Sequence, residues 1–219
     1  NLYGAYHFLE ATRKHGIRPL IGLEMTLVKD EENLSLRFLA LSTKGYQELM
    51  KLSTLKMTGR KKWSDFTSHL EDVAIIVPYF NGVEQLDLGH DYFIGVSPDT
   101  PQEVFTRPIL PLYQVNSFEK EDNQVLQILS AVKDNVSLRE VDVHSQQGIF
   151  LPASDLETRF KNRFPQALAN LQDLIENVSY QIDPSLKLPR FNPERPAVEE
   201  LRERAEQGLS DKGLTSAIY

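Results

Sequence analysis

The spacing of apolar residues in the first half of the chain alternates between a helical and an extended period. Four of them recur at i, i+3, i+4 and i+7: Leu2, Ala5, Tyr6 and Leu9. This stripe predicts an amphipathic helix that ends at Gly16. Five later segments have the apolar content and length of strands: 20–28, 34–41, 73–77, 92–96 and 109–115. Thr43 is the predicted N-cap of a helix between the second and third of these strands.

The run at residues 73–77 is apolar throughout and ends at Pro78, which is typical of a strand that is buried on both faces, as parallel strands are. The order of helices and strands therefore predicts an α/β fold. After about residue 118 the pattern becomes helical. One stripe contains Gln124, Val125, Ile128, Leu129 and Val132, and a second runs from Phe164 to Val178. Four prolines between residues 184 and 196 indicate an extended connector, and 197–209 predicts a charged helix.

Composition excludes several classes of protein. The 219 residues contain no cysteine, which rules out disulfide scaffolds, thiolate zinc sites and thiol catalysis. There is no run of eighteen apolar residues, so no membrane-spanning helix is expected. The net charge is −7, which argues against nucleic-acid binding over the whole surface. The basic cluster at residues 60–62 is interpreted as a solvated loop.

Few residues carry recognisable chemistry. The five histidines have no metal-ligand spacing, and no phosphate-binding or nucleophile motif is present. Glu24 stands apart, because strand alternation places it with Gly22 and Thr26 on the small and polar face of its strand. In an α/β barrel such a face lines the lumen, where metal ligands and acid–base groups lie. A glutamate that faces water at a sheet edge is the alternative.

Four stretches follow one another at characteristic spacing: NLYGA at 1–5 with HGIRPLIGLE at 15–24, GYQEL at 45–49, FPQALAN at 164–170 and LPRF at 188–191. Together they resemble the PHP (polymerase and histidinol phosphatase) domain that opens the alpha subunit of bacterial replicative DNA polymerase III. The resemblance covers nearly the whole chain. It implies a distorted β/α barrel at 1–188, lacking its first units and therefore open beside strand 20–28. It also implies a connector and the first helix of the polymerase region at 189–219.

The resemblance further implies a cluster of metal ions, held by His, Asp and Glu at the ends of the barrel strands. The first ligands would precede Asn1, so we expect them outside this sequence. Glu24 matches the next ligand, and either Ser35 or Arg37 stands where intact members have a His. The closing Asp-Val-His aligns with Gln114 and Asn116, whose neutral amides are poor substitutes for those ligands. We therefore expect a degenerate site with Glu24 as a vestigial ligand and no catalytic residue.

On this resemblance the chain is a fragment of a DNA-directed DNA polymerase, a nucleotidyltransferase of DNA replication, and this module is structural and inactive by itself. No cofactor is expected in the fragment, and magnesium is expected for the full polymerase. The implied partners are DNA, other replisome subunits and the palm domain of the same chain, in the cytoplasm. One alternative is a metal-dependent phosphoesterase or 3′–5′ proofreading exonuclease, which Gln114 and Asn116 disfavour. A second is an α/β binding module unrelated to replication, which the segment at 188–191 disfavours.

Overall fold

The computed structural model describes residues 2–141, 148–181 and 194–213. Its helices are α1 (Ala5–Lys14), α2 (Thr43–Met57), α3 (Asn123–Asp134), α4 (Ala153–Arg163), α5 (Pro165–Glu176) and α6 (Ala197–Asp211). Its strands are β1 (Gly22–Lys29), β2 (Glu32–Ala40), β3 (Val73–Pro78), β4 (Phe93–Val96) and β5 (Ile109–Pro111). No helix in these ranges is long and apolar enough to cross a membrane.

The chain divides into two compact units, residues 1–181 and 182–219. The second unit contains α6, which begins at Ala197 as the sequence predicts and has no buried residue. The predicted domain boundary after residue 188, the segment at 188–191 and most of the predicted connector lie outside the described residues. That boundary stays a prediction.

The five strands form one mixed sheet in the order β1-β2-β3-β4-β5. β1, β2 and β3 are antiparallel, whereas β3, β4 and β5 are parallel. The α/β class is confirmed. The distorted barrel is not confirmed, because the described strands form an open sheet. The expectation of parallel neighbours for β3 is correct only on its β4 side.

The antiparallel half of the sheet follows from a tight turn. Asp30 and Glu31, which connect β1 to β2, have φ angles of 50° and 70°. Positive φ at both central residues is the geometry of two-residue turns that match the twist of a β-hairpin. β2 therefore returns directly beside β1, with Glu24 opposite Arg37. This local turn produces an antiparallel pair where a β/α unit would place a helix and a parallel strand.

β1 is the first strand of the sheet, as the expectation of an open side at 20–28 requires, but part of its free edge is covered. The Val28 N–H donates to the Lys61 carbonyl oxygen at 2.7 Å, and Lys56 Nζ donates to the Thr26 carbonyl oxygen. The basic residues 60–62 thus lie in an exposed loop whose backbone extends the sheet. Covering an edge in this way limits its pairing with other chains.

The two faces of the sheet are covered to different extents. On one face α2 packs against β2 and β3. Its Leu49 and Leu52 and the sheet residues Phe38 and Val77 are each less than 2% exposed. On the other face Leu174 and Val178, within and just after α5, form a buried cluster with Leu110 of β5 and its neighbours. α5 covers only part of this second face, which leaves room beside it.

The structure corrects one predicted helix end, agrees with another and contains one helix that the sequence pattern did not predict. The N-cap of α2 is Ser42 and not Thr43, because the Ser42 hydroxyl accepts the Lys44 and Gly45 N–H groups. Ser42 has the extended backbone that a cap requires, whereas Thr43 is already helical. α1 ends near Gly16 as predicted, with Gly16 at a φ of 65°. α4 was not predicted, because its sequence ASDLETRFKNR contains too few apolar residues to form a clear stripe.

Candidate functional site

A pocket of about 610 Å³ lies at the carboxyl ends of the three parallel strands. The chain leaves β3 at Tyr79, β4 at Ser97 and β5 at Leu112, and all three residues line the pocket. Ligand sites of α/β folds form at this end of parallel strands, because the loops that follow the strands meet there. Arg37 from β2 and Arg159 from α4 complete its charged lining together with Asp99.

One residue of the pocket lining, Gly95 of β4, is a glycine with little space for a side chain. A Cβ on Gly95 would lie 2.7 Å from Leu112 Cδ2 and 3.1 Å from Ile76 Cγ2, closer than packed carbons normally approach. The absence of a side chain at Gly95 allows Leu112 to fold over β4. Gly95 and Leu112 thus line the pocket side by side.

The loop after β4 forms a compact turn that attaches α4 to the rim. The Ser97 N–H donates to Thr100 Oγ1 at 2.8 Å, and Thr100 is 5% exposed. Arg163 Nη2, in the last turn of α4, donates to the Thr100 carbonyl oxygen at 2.8 Å. A guanidinium donor to a buried carbonyl is among the stronger protein hydrogen bonds. These contacts hold α4, and with it Arg159, at the rim of the pocket.

Glu24 lies on the face that strand alternation predicts. Leu23, Met25 and Leu27 are buried, whereas Gly22, Glu24 and Thr26 are exposed. The Glu24 side chain is 57% exposed, and its Oε2 lies 3.4 Å from Arg37 Nη2. Its partner is therefore the guanidinium that stands on the neighbouring strand. The Arg37 guanidinium is thus the cationic group that the structure places beside the Glu24 carboxylate.

Gln114 and Asn116 interact with each other. Gln114 Nε2 donates to Asn116 Oδ1 at 3.0 Å. Gly148 closes the space behind them, since its carbonyl oxygen accepts the Asn116 N–H at 2.7 Å. Gly148 has a φ of 146°, and a Cβ there would lie 2.3 Å from the Gln114 carbonyl oxygen. The two amides and the glycine thus hold one another through the hydrogen bonds from Gln114 to Asn116 and from Asn116 to Gly148.

The described part of the chain does not bring together the ligands of a metal cluster. Among residues 2–141, 148–181 and 194–213 there is no group of three or more His, Asp or Glu side chains that could hold an ion. The acidic lining of the pocket in this part of the chain is Asp99, set against two arginines. Divalent cations prefer several anionic or imidazole ligands together. The described lining thus sets one carboxylate against two guanidinium groups, which is not the combination of ligands that a divalent cation prefers.

Several residues of this site were not predicted from the sequence. Arg159 lies on α4, whose sparse apolar stripe gave no helix signal, and Ser97 and Thr100 lie in a short loop without a motif. Tyr79 directly follows Pro78 at the end of β3. Its position at the carboxyl end of a predicted strand could have identified it as a candidate pocket residue. Burial, together with a hydrogen bond to Glu103, raises the pKa of Tyr79 above its ordinary value. Tyr79 therefore stays neutral at physiological pH.

A second electrostatic cluster lies away from the pocket, on α2. The Glu48 side chain is 4% exposed, and Lys51 Nζ lies 2.9 Å from its Oε1. His69 Nδ1 lies 3.0 Å from Oε2, and Lys44 Nζ lies 3.8 Å from Oε1. The hydrogen bond from Lys51 lowers the pKa of Glu48 despite the opposing effect of burial, with His69 adding to the lowering. The sequence pattern indicated no role for Glu48. In the structure its carboxylate joins α2 to the loop that carries His69.

Comparison with known proteins identifies relatives of the whole chain. DNA polymerase III subunit alpha of Streptococcus pyogenes serotype M3 (strain ATCC BAA-595 / MGAS315) is 38% identical over 221 residues, covering all of this chain and 21% of the relative. The same subunit of Halalkalibacterium halodurans is 25% identical over 250 residues, covering 96% of this chain and 22% of the relative. The chain thus spans about a fifth of the length of these curated relatives. Residues 1–138, more than half of the chain, match the model of the PHP domain family, and the chain therefore belongs to that family.

Proposed function

We propose that the chain is the PHP module of a bacterial replicative DNA polymerase III alpha subunit and that its pocket does not hydrolyse phosphate esters. The Streptococcus pyogenes relative with this name matches the chain over its whole length. The absence of hydrolysis is inferred from the contacts of the three residues that the family resemblance places at ligand positions, Glu24, Gln114 and Asn116. Gln114 is bonded to Asn116, and Glu24 is paired with Arg37.

The chemistry of phosphoester hydrolysis explains why these pairings matter. Intact sites of this kind use a bound metal ion to lower the pKa of a water molecule, which then attacks phosphorus. The groups that line the described pocket contain one carboxylate, Asp99, and no imidazole. No general base with an adjacent metal ligand is available there to prepare the nucleophile. The exonuclease alternative lacks a supporting observation in this geometry.

A structural role fits the contacts that cross the domain. Asn170 Nδ2 of α5 donates to the Ile109 carbonyl oxygen of β5 at 2.9 Å. Arg18 Nη1 donates to the Ile175 carbonyl oxygen at 3.0 Å, joining the segment before β1 to the end of α5. Tyr180 Oη donates to the Ala40 carbonyl oxygen and accepts the Ile21 N–H. Such side-chain to backbone bonds join elements that are far apart in sequence, which supports the proposal of a structural role.

In the full-length protein we propose DNA-directed nucleotidyl transfer with magnesium, carried out by the part of the polypeptide beyond this module. The proposed partners are DNA, other replisome subunits and the palm of the same polypeptide, in the cytoplasm. The acidic balance of this module, −7 at neutral pH, leaves the contact with DNA phosphates to other parts of the protein.

The experiment uses the full-length protein that contains these 219 residues. We expect magnesium-dependent primer extension, and no release of nucleotides from 3′ ends when manganese or zinc is added, beyond a chelator-treated control. Glu24→Ala should leave both results unchanged. Nucleotide release that disappears in Glu24→Ala would establish the exonuclease alternative. Absence of primer extension would contradict the assignment to a polymerase.

A further inference from the structure

The amphipathic helix α3 has its apolar side in solvent. Val125, Ile128, Leu129 and Val132 are 56%, 52%, 58% and 73% exposed. These residues lie at i, i+3, i+4 and i+7, which places them on one side of the helix. Val136 lies just after the helix, beyond the left-handed C-cap Asn135, and is 42% exposed. We call these five residues the α3 face.

The opposite side of α3 is less exposed. Ala131 is 8% exposed, and Leu126, Gln127 and Ser130 are half-buried. The helix therefore turns one leucine, a small residue and two polar residues inward, while the larger part of its apolar stripe faces outward, whereas an amphipathic helix normally buries that stripe. Single exposed apolar residues need no explanation, but a continuous apolar stripe marks an interaction surface.

We propose that the α3 face is covered in the intact protein by an apolar segment from the polymerase part of the same polypeptide. This inference rests on the proposed function, because it requires that the polypeptide continue into a polymerase. The matched relatives support that requirement, since the chain spans 21% of their length. Most of such a protein is then available to supply the covering segment.

The size of the α3 face argues against a second copy of the chain. Five side chains at these exposures present on the order of 500 Å², whereas a standard interface between separate proteins buries roughly 800 Å² on each partner. A segment of the same polypeptide needs less area, since the linkage gives it a high effective concentration. The exposed Glu119 and Glu121 lie just before α3, so we expect the covering segment to carry Lys or Arg beside its apolar residues.

The test places the photo-reactive residue p-benzoylphenylalanine at Ile128 of the full-length protein, with Val104 as the matched control position. Val104 is an apolar residue that is 91% exposed and lies between β4 and β5. We expect Ile128 to crosslink to a peptide outside residues 1–219 without a doubling of the mass, and more strongly than Val104. A product of doubled mass, peptides from within residues 1–219, or a yield no higher than at Val104 would overturn the proposal.

A second measurement guards against a photo-reactive residue that disturbs the helix. In the full-length protein Ile128→Asp should raise amide hydrogen exchange of residues 123–134 at least tenfold, whereas Val104→Asp should not change it. Unchanged exchange in Ile128→Asp would overturn the proposal. Primer extension by the same preparations tests the proposed function separately, because an extending polymerase without the crosslink contradicts only the present inference.

Discussion

Glu48 and Glu24 lie in two differently built regions of the same domain. Glu48 is on α2, on the closed face of the sheet, and its carboxylate is 4% exposed with Lys51 and His69 at 2.9 Å and 3.0 Å. Glu24 is on β1, on the partly open face, where it is 57% exposed and 3.4 Å from Arg37. Both carboxylates have cationic neighbours, but only Glu48 has been withdrawn from water.

The two glutamates are of interest for different reasons, one for its position in the sequence and the other for its burial. Glu24 was singled out because its position resembles that of a metal ligand, which is information about ancestry. Glu48 has no such resemblance, yet burial makes its partners necessary, since a buried charge without them is costly. An exposed ion pair is screened by water and contributes little. We therefore expect Glu48 to dominate stability and Glu24 to be dispensable for it.

The largest effect should come from removing the buried carboxylate. Glu48→Ala leaves a cavity and removes the acceptor of Lys51 and His69, so we expect a loss of about 3 kcal/mol in the free energy of unfolding. The matched control Glu24→Ala should change it by less than about 0.5 kcal/mol. Urea unfolding of both variants measures the contrast. Equal losses would remove the distinction between the two regions.

A glycine on each side of the sheet gives the next comparison. A Cβ on Gly45, in the first turn of α2, would lie 2.1 Å from the Asp72 carbonyl oxygen, which belongs to the backbone. Gly45→Ala should therefore cost about 2 kcal/mol, even though alanine favours helices. At Gly95 the nearest atom is the end of the Leu112 side chain, which can move, so Gly95→Ala should cost about 1 kcal/mol. Thermal unfolding that ranks Gly95→Ala as the more severe change would contradict this order.

The sequence predicted the elements whose signals are local. The strands near residues 22–29 and 73–78, the end of α1 at Gly16 and the stripe of α5 follow from spacing and from helix-stop residues. The direction of β2 was not predicted, because it depends on positive φ at Asp30 and Glu31, and neither residue is glycine. The orientation of α3 was not predicted either, since periodicity identifies an apolar side without showing where it points.

The candidate site was predicted only in part for a related reason. Glu24, Gln114 and Asn116 were found through a family resemblance, which specifies positions but not contacts. Arg37 pairs with Glu24 because of the register of β1 against β2. Arg159 reaches the pocket because the hydrogen bond from Arg163 to Thr100, 63 positions apart, holds α4 there. Long-range contacts of this kind leave no trace in spacing or composition.

Acid should weaken the closed region in a defined direction. The pKa of Glu48 is lowered in the folded protein, so its contribution to stability is present above the ordinary glutamate value of about 4.3 and is lost as the pH falls through the lowered value. Lys44 and Lys51 are the cations that face it, the His69 imidazole lies beside it, and Glu71 pairs with Lys44 at 3.7 Å.

The difference in free energy of unfolding between the unmodified chain and Glu48→Gln should therefore shrink between pH 6 and pH 3, by about 1 kcal/mol or more. Urea unfolding at several pH values measures it, and Glu24→Gln serves as the control with a smaller change. A difference that grows as the pH falls would mean that Glu48 is not held in its charged form by these neighbours.

The smallest effect concerns the exposed pair of Glu24 and Arg37. Glu24→Ala, Arg37→Ala and the double variant form a thermodynamic cycle, whose coupling free energy isolates the interaction between the two side chains. At 3.4 Å and with Glu24 57% exposed, we expect a coupling of about 0.2–0.5 kcal/mol that falls further as salt is raised to about 0.5 M. The parallel cycle of Glu48 with Lys51 should give about 1 kcal/mol or more, with less dependence on salt. A coupling of Glu24 with Arg37 as large as that of Glu48 with Lys51 would contradict this expectation. It would show that the partly open face excludes water far more than the exposure of Glu24 indicates, and that the charges beside the pocket are shielded from solvent.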